Sequence, residues 1–145
     1  MTSITNIKQK IFLQVCIFQL LVSTGLCVYF SNQEYIELPE IYDFIFDIDK
    51  LFHITAFFIY GLSLQVAFFA FSKKRNMVLN NKMLGLVVII VGFVFALGDE
   101  IHQYFIPGRD ADVFDLLVDY IGISLSLLLF SKIRNLIMTI FLKLQ

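Results

Sequence analysis

Two histidines, an arginine, a lysine and a set of carboxylates fall in three short stretches of this chain. Asp49, Lys50 and His53 form the first, and Asp49 and His53 stand four apart, on one helical face. Asp99, Glu100, His102 and Gln103 form the second with three-and-four spacing, and Arg109 follows behind Pro107 and Gly108. Asp112, Asp115 and Asp119 make an acidic stripe in which Asp119 lies ~10 Å below Asp112 at helical rise. Imidazole beside carboxylate can do general acid–base work, so His53, His102, Asp99 and Asp115 are the candidate catalytic groups. Arg109 and Lys50 can clamp a phosphate; with Asp49, Glu100, Gln103, Asp112 and Asp119 they form the candidate ligand-binding set. His53, His102, Asp115 and Asp119 together offer two nitrogens and two oxygens to zinc or another divalent metal. The spacing lacks a compact pair of histidines one turn apart, so the metal signal is weak. The sequence places no Ser or Cys nucleophile near these residues; a carboxylate, a histidine or an activated water would have to serve.

Membrane spans carry these residues. Of the 145 residues, 59% are hydrophobic, above the ~45–50% usual for soluble proteins, and mean hydropathy is +0.82. Candidate spans cover about 11–30, 51–71, 83–103 and 113–130, each near the length a ~30 Å hydrocarbon core requires. Residues 131–145 read as a short interfacial helix. Lys8 and Lys10 precede the first apolar run, but that run is too long for a signal-peptide core and no small-x-small cleavage site follows. The expected architecture is an all-α polytopic bundle of four transmembrane helices, residues 1–145 forming a single integral membrane domain. Polar residues collect at the end where the second span opens, the third closes and the fourth opens. Asp119, one to two turns into its span, would cost at least ~2.5 kcal/mol in lipid, so it has to face the bundle interior and find a partner.

Charge gives the orientation. All 12 acidic residues lie in two stretches, residues 34–49 and 99–119. Lys8, Lys10, Lys73, Lys74, Arg75, Lys82, Lys132, Arg134 and Lys143 lie elsewhere; Lys50 and Arg109 alone break the sorting. Basic residues are retained on the cytoplasmic side, which puts both termini there and the polar cluster on the extracytoplasmic face of the cytoplasmic membrane. The first outer connection carries six acids and the aromatics Tyr35, Tyr42, Phe44 and Phe46, and reads as a solvated, partly interfacial loop, with binding of a cation or cationic ligand as the alternative. No basic tract with interleaved aromatics is present, which argues against nucleic acid as a partner. Cys16 and Cys27 would be ~16 Å apart along one helix, beyond disulfide reach, and read as packing residues. Gln65, Ser63, Ser124 and Ser126, with Gly61, Gly85, Gly92, Gly98 and Gly122, are assigned to close helix packing.

Asp49-Lys50-x-x-His53 opening a span, Asp99-Glu100-x-His102-Gln103 closing one, Pro107-Gly108-Arg109, and then Asp112, Asp115 and Gly122 together resemble the VanZ-like membrane proteins over roughly residues 49–130. In one departure, Asp119 stands where the family pattern has Asn, which makes this site more acidic. The resemblance implies a cell-envelope role at the outer face, and the family's named member is linked to low-level teicoplanin resistance; it supplies no reaction.

Three readings of the cluster stay open. It binds or moves a lipid head group or lipid-linked envelope component; it is an enzyme, metal-dependent or not, acting on such a substrate; or it is an ion-pair network that locks the bundle. Membrane hydrogen bonds average only ~0.6 kcal/mol, so a bundle gains little by gathering this many ionisable groups for structure alone.

Overall fold

The computed structural model describes residues 2–32, 48–78, 80–109 and 111–143. The expected outer-loop acids Glu34, Glu37, Glu40, Asp43 and Asp47, the aromatics Tyr35, Tyr42, Phe44 and Phe46, and Asp110 lie outside the described residues. Four helices follow in order: α1, Thr2–Ser31; α2, Ile48–Lys74; α3, Asn81–Gln103; and α4, Val113–Lys143. Each contains a stretch long and apolar enough to cross a membrane: Ile7–Ser31, Asp49–Lys74, Asn81–Gln103 and Val113–Phe141. Hydrocarbon offers backbone N–H and C=O groups no partner, and a helix satisfies them within the segment. Among the described residues there is no strand.

Local chemistry sets the helix ends. The N–H of Met77 donates to the Ser72 carbonyl at 2.8 Å and Asn76 adopts φ 54°, a left-handed stop after α2. Asn80 caps α3, its side chain accepting from the Met83 N–H at 2.8 Å. After Gln103 the chain tightens into successive i to i+3 bonds, Phe105 N–H to His102 O and Ile106 N–H to Gln103 O. Gly108 then turns it at φ +78°. Asp112 caps α4 through its Oδ1, which accepts from the Phe114 N–H at 2.8 Å.

The tail departs from expectation. Instead of a separate interfacial helix, residues 131–143 continue α4 without a break, giving 31 residues in all. Nothing between Ser131 and Lys143 is Gly or Pro, so Lys132 and Arg134 change the polarity of the surface but give the helix no reason to stop. The edge-to-face contact of Phe141 with Phe12, at 5.9 Å between centroids, ties this end to α1.

α2 is the central element: it packs on all three other helices, most extensively on α4. Phe57, Tyr60 and Leu64 from α2, Val88 and Ala96 from α3, and Ile123 and Phe130 from α4 share one buried core with Cys27 of α1. Lipid is as apolar as leucine, so helix association relies on close van der Waals fit. Gly122 supplies it, since a Cβ there would stand 2.5 Å from the Ile54 carbonyl oxygen; one on Gly61 would stand 2.5 Å from Ser126 Oγ. Gln65, expected as a packing residue, also crosses this interface, donating to Ser126 Oγ at 2.9 Å and to the Gly61 carbonyl at 3.0 Å. Cys16 and Cys27 are buried free thiols, as read from the sequence.

Candidate functional site

The first turns of α2, the last turns of α3, the Pro107–Arg109 turn and the first turns of α4 meet at one end of the bundle. His53 presents Nδ1 to Asp119 Oδ1 at 2.9 Å. Asp119 is 0% exposed, so the span carboxylate does face inward and its partner is a histidine. The imidazole stacks almost parallel on the buried Phe57 ring, at 6.4 Å and 4°, which sets its plane. On its other side, Nε2 lies 3.4 Å from Gln103 Nε2 and 3.9 Å from Asp49 Oδ2.

Gln103 connects the helices. Its amide nitrogen donates to Asp99 Oδ2 at 3.1 Å, while its oxygen accepts from Arg109 Nη1 at 2.9 Å. A guanidinium can only donate and a carboxylate can only accept here, and the two contacts together fix which way the amide points. Arg109 Nη2 then reaches Asp49 Oδ1 at 2.8 Å. A second branch runs through Lys50, which donates to Asp112 Oδ2 and Asp115 Oδ1, both at 3.1 Å. Glu100 Oε2 accepts from the Asp112 backbone N–H at 3.0 Å. The Asp112 carboxyl is held below its ordinary value, first by the Phe114 N–H it caps and then by Lys50.

Ten of the eleven sequence-derived site residues therefore gather at this end: one bonded branch joins Asp49, His53, Asp99, Gln103, Arg109 and Asp119, a second joins Lys50, Glu100, Asp112 and Asp115, and Glu100 and Asp115 bring carboxylate oxygens within 4.8 Å of donor atoms in the first. His102 does not join it. It is exposed, and its Nε2 meets Asn32 Oδ1 at 3.1 Å. On the helical wheel it stands about 60° from Asp99, on the side away from Glu100. The two-histidine metal set read from the sequence is therefore not assembled. The buried donors that do gather are His53, Asp99, Glu100 and Asp119, each offering an atom within 4.8 Å of the others.

Two openings flank Asp99, which lines both. One is a small cleft of about 30 Å³ among Phe30, Phe52, His53, Gln103 and Arg109. Cys27 and Ser31 of α1 also line it, correcting the expectation that no thiol or hydroxyl lies near the cluster. The other is an apolar groove of about 500 Å³ formed by Val28, Tyr60, Val91, Val94 and Phe95, with Gly98, Asp99 and His102 at its polar end. Tyr60 and Phe95 stack at 4.5 Å along it. Gly98 was expected to bring helices together, yet a Cβ there would meet nothing within 4 Å; its small size opens the groove instead. Asn32, Ser31 and the groove escaped the sequence reading because helical periodicity does not report which faces of α1 and α3 oppose each other.

The VanZ/LLP1 family model matches residues 4–139. Comparisons with curated proteins and with solved structures gave no match. The match extends past the polar motifs to include α1, which lines both openings beside Asp99. With four helices apolar enough to span a bilayer and this motif set gathered at one end of them, the chain is a multi-pass membrane protein that belongs to the VanZ/LLP1 family.

Proposed function

We propose that this protein binds a lipid or lipid-linked envelope component at the extracytoplasmic face of the cytoplasmic membrane. The supporting observation is the groove between α1 and α3. It is apolar along Val28, Val91, Val94 and Phe95, and it ends on Asp99 and His102, with the buried polar group directly behind Asp99. A binding site of 300–1,000 Å³ suits a ligand with a hydrocarbon body and a few polar anchors. The hydrocarbon part lies along the valines, and the head group meets His102, Asn32 and Asp99. Outward sidedness is supported by the placement of nine of the 11 Lys and Arg residues away from this end of the bundle. Sequestering such a component lowers susceptibility to teicoplanin-type glycopeptides, which act on lipid-linked envelope material.

The test is heterologous expression with teicoplanin and vancomycin susceptibility measured side by side. Wild-type protein is expected to lower teicoplanin susceptibility, and Gly98→Phe, which fills the groove where there is room for a side chain, is expected to remove the effect at equal protein level. Equal susceptibility with and without the wild-type protein contradicts the reading.

An enzymatic reading of the same site draws on one observation. Ser31 is buried beside Asp99 and lines the small cleft with His53. If catalysis occurs there, purified protein changes the masses of lipids in an envelope extract and Ser31→Ala does not.

A further inference from the structure

We propose that His53, Asp99, Glu100 and Asp119 hold a divalent transition-metal ion inside the bundle. The proposal rests on the geometry where α2, α3 and α4 meet and not on the lipid reading.

Spacing comes first. One donor atom from each of the four residues lies within 4.8 Å of the others, and His53 Nδ1 and Asp119 Oδ1 are already 2.9 Å apart. Around an ion with bonds of about 2.1 Å, neighbouring donors sit ~3–3.4 Å apart. The four donors, at most 4.8 Å apart, have to draw together by about 1.5 Å at the widest to meet one ion.

Unfilled acceptors give the second, independent support. Asp119 Oδ2 and Glu100 Oε1 are buried and accept no hydrogen bond among the described residues, in side chains that are 0% and 5% exposed. Polar atoms shut away from water are ordinarily partnered, because leaving them bare is costly. Three carboxylates this close also repel one another strongly in a low-dielectric interior. The neighbouring cations are engaged elsewhere, Arg109 with Asp49 and Gln103 and Lys50 with Asp112 and Asp115. A dication placed among the four groups fills the bare acceptors and removes the repulsion.

The surroundings resemble the outer shell of a metal site. Gln103 holds Asp99 Oδ2, and the Asp112 N–H holds Glu100 Oε2. One imidazole with three carboxylates is an oxygen-rich set without a thiolate, which suits manganese through its carboxylates and zinc through its imidazole. Cys27, although nearby, is not among the four.

The experiment uses the full chain, purified in detergent, stripped with chelator, reloaded with Mn²⁺ or Zn²⁺ and desalted before elemental analysis. Wild type is expected to retain about one ion per chain and to melt at a higher temperature loaded than stripped. Asp99→Asn and Glu100→Gln are expected to lose most of the metal while eluting as folded protein, and His102→Ala to retain it. Wild-type protein that holds less than about a tenth of an ion per chain, with an unchanged melting temperature, overturns the proposal. Undiminished metal in folded Asp99→Asn and Glu100→Gln overturns it equally. If both variants fail to fold, the wild-type stoichiometry and melting shift decide alone.

Discussion

His53 and Asp119 meet at 2.9 Å between α2 and α4, with the carboxylate sealed from solvent. The contact joins the two helices that pack most closely and sits about 9 Å down α4 from its first residue. Everything else in the polar group is arranged around that pair: Gln103 on the far ring nitrogen, Arg109 behind Gln103, and Lys50 holding the upper turn of α4.

Removing Asp119 leaves a buried imidazole without its partner. Asp119→Leu is expected to lower stability by about 1–3 kcal/mol, and Asp119→Asn, which can still accept from His53, by less than about 1 kcal/mol. Thermal unfolding in detergent measures both. Equal loss in the two variants would show that charge, and not the shared hydrogen bond, is what matters at this position.

The closeness of α2 and α4 depends on Gly122. A methyl there would press on backbone atoms of Ile54 and Phe58, at 2.5 and 3.0 Å, which cannot rotate aside. Gly122→Ala is expected to cost at least about 1–3 kcal/mol through overpacking, whereas Gly98→Ala, with open space around it, is expected to leave the melting temperature unchanged. The reverse order would mean that the interface has been placed on the wrong face of α4.

Asp112 provides a pH signature. Its carboxyl is held below the ordinary value of 3.8 by the Phe114 N–H and Lys50. A carboxyl depressed in the folded state stabilises it fully above the ordinary value, and that contribution disappears as pH falls through the lower, folded value. The melting-temperature difference between wild type and Asp112→Asn should therefore be present at neutral pH and shrink as pH drops below about 4. A difference that grows on acidification would contradict the assigned partners.

Much of this was readable from the chain. Asp49 and His53 one turn apart, Asp99 and Gln103 one turn apart, and Arg109 behind a Pro-Gly turn are local patterns, and the helices carry them inward as the spacing requires. His102 was not readable in this way. Three-residue spacing from Asp99 is compatible with either flank of the helix, and only the packing of α3 against α1 decides that it faces Asn32. Gly98 shows the same limit, because a glycine that permits contact and a glycine that leaves a groove look alike in sequence. The continuation of α4 past Ser131 is hidden for a different reason: residues 131–143 are too few to span a membrane by themselves, and only the absence of Gly or Pro before them tells that they prolong the preceding helix.

The proposed sidedness rests on the placement of the basic residues and is open to direct labelling. Single cysteines at Glu37 and Asp110 are expected to react in intact cells with an impermeant thiol reagent, and one at Arg75 to react only after permeabilisation. The native Cys16 and Cys27 are buried and should give a low background. Labelling of the Arg75 position from outside would invert the topology.

Native mass spectrometry of protein purified in mild detergent reads out the proposed lipidic ligand in the groove ending on Asp99 and His102. Wild type is expected to carry a defined lipid adduct that is lost from Gly98→Phe and weakened in His102→Ala, with all three proteins equally folded. The same adduct on wild type and Gly98→Phe, or none on wild type, would contradict it.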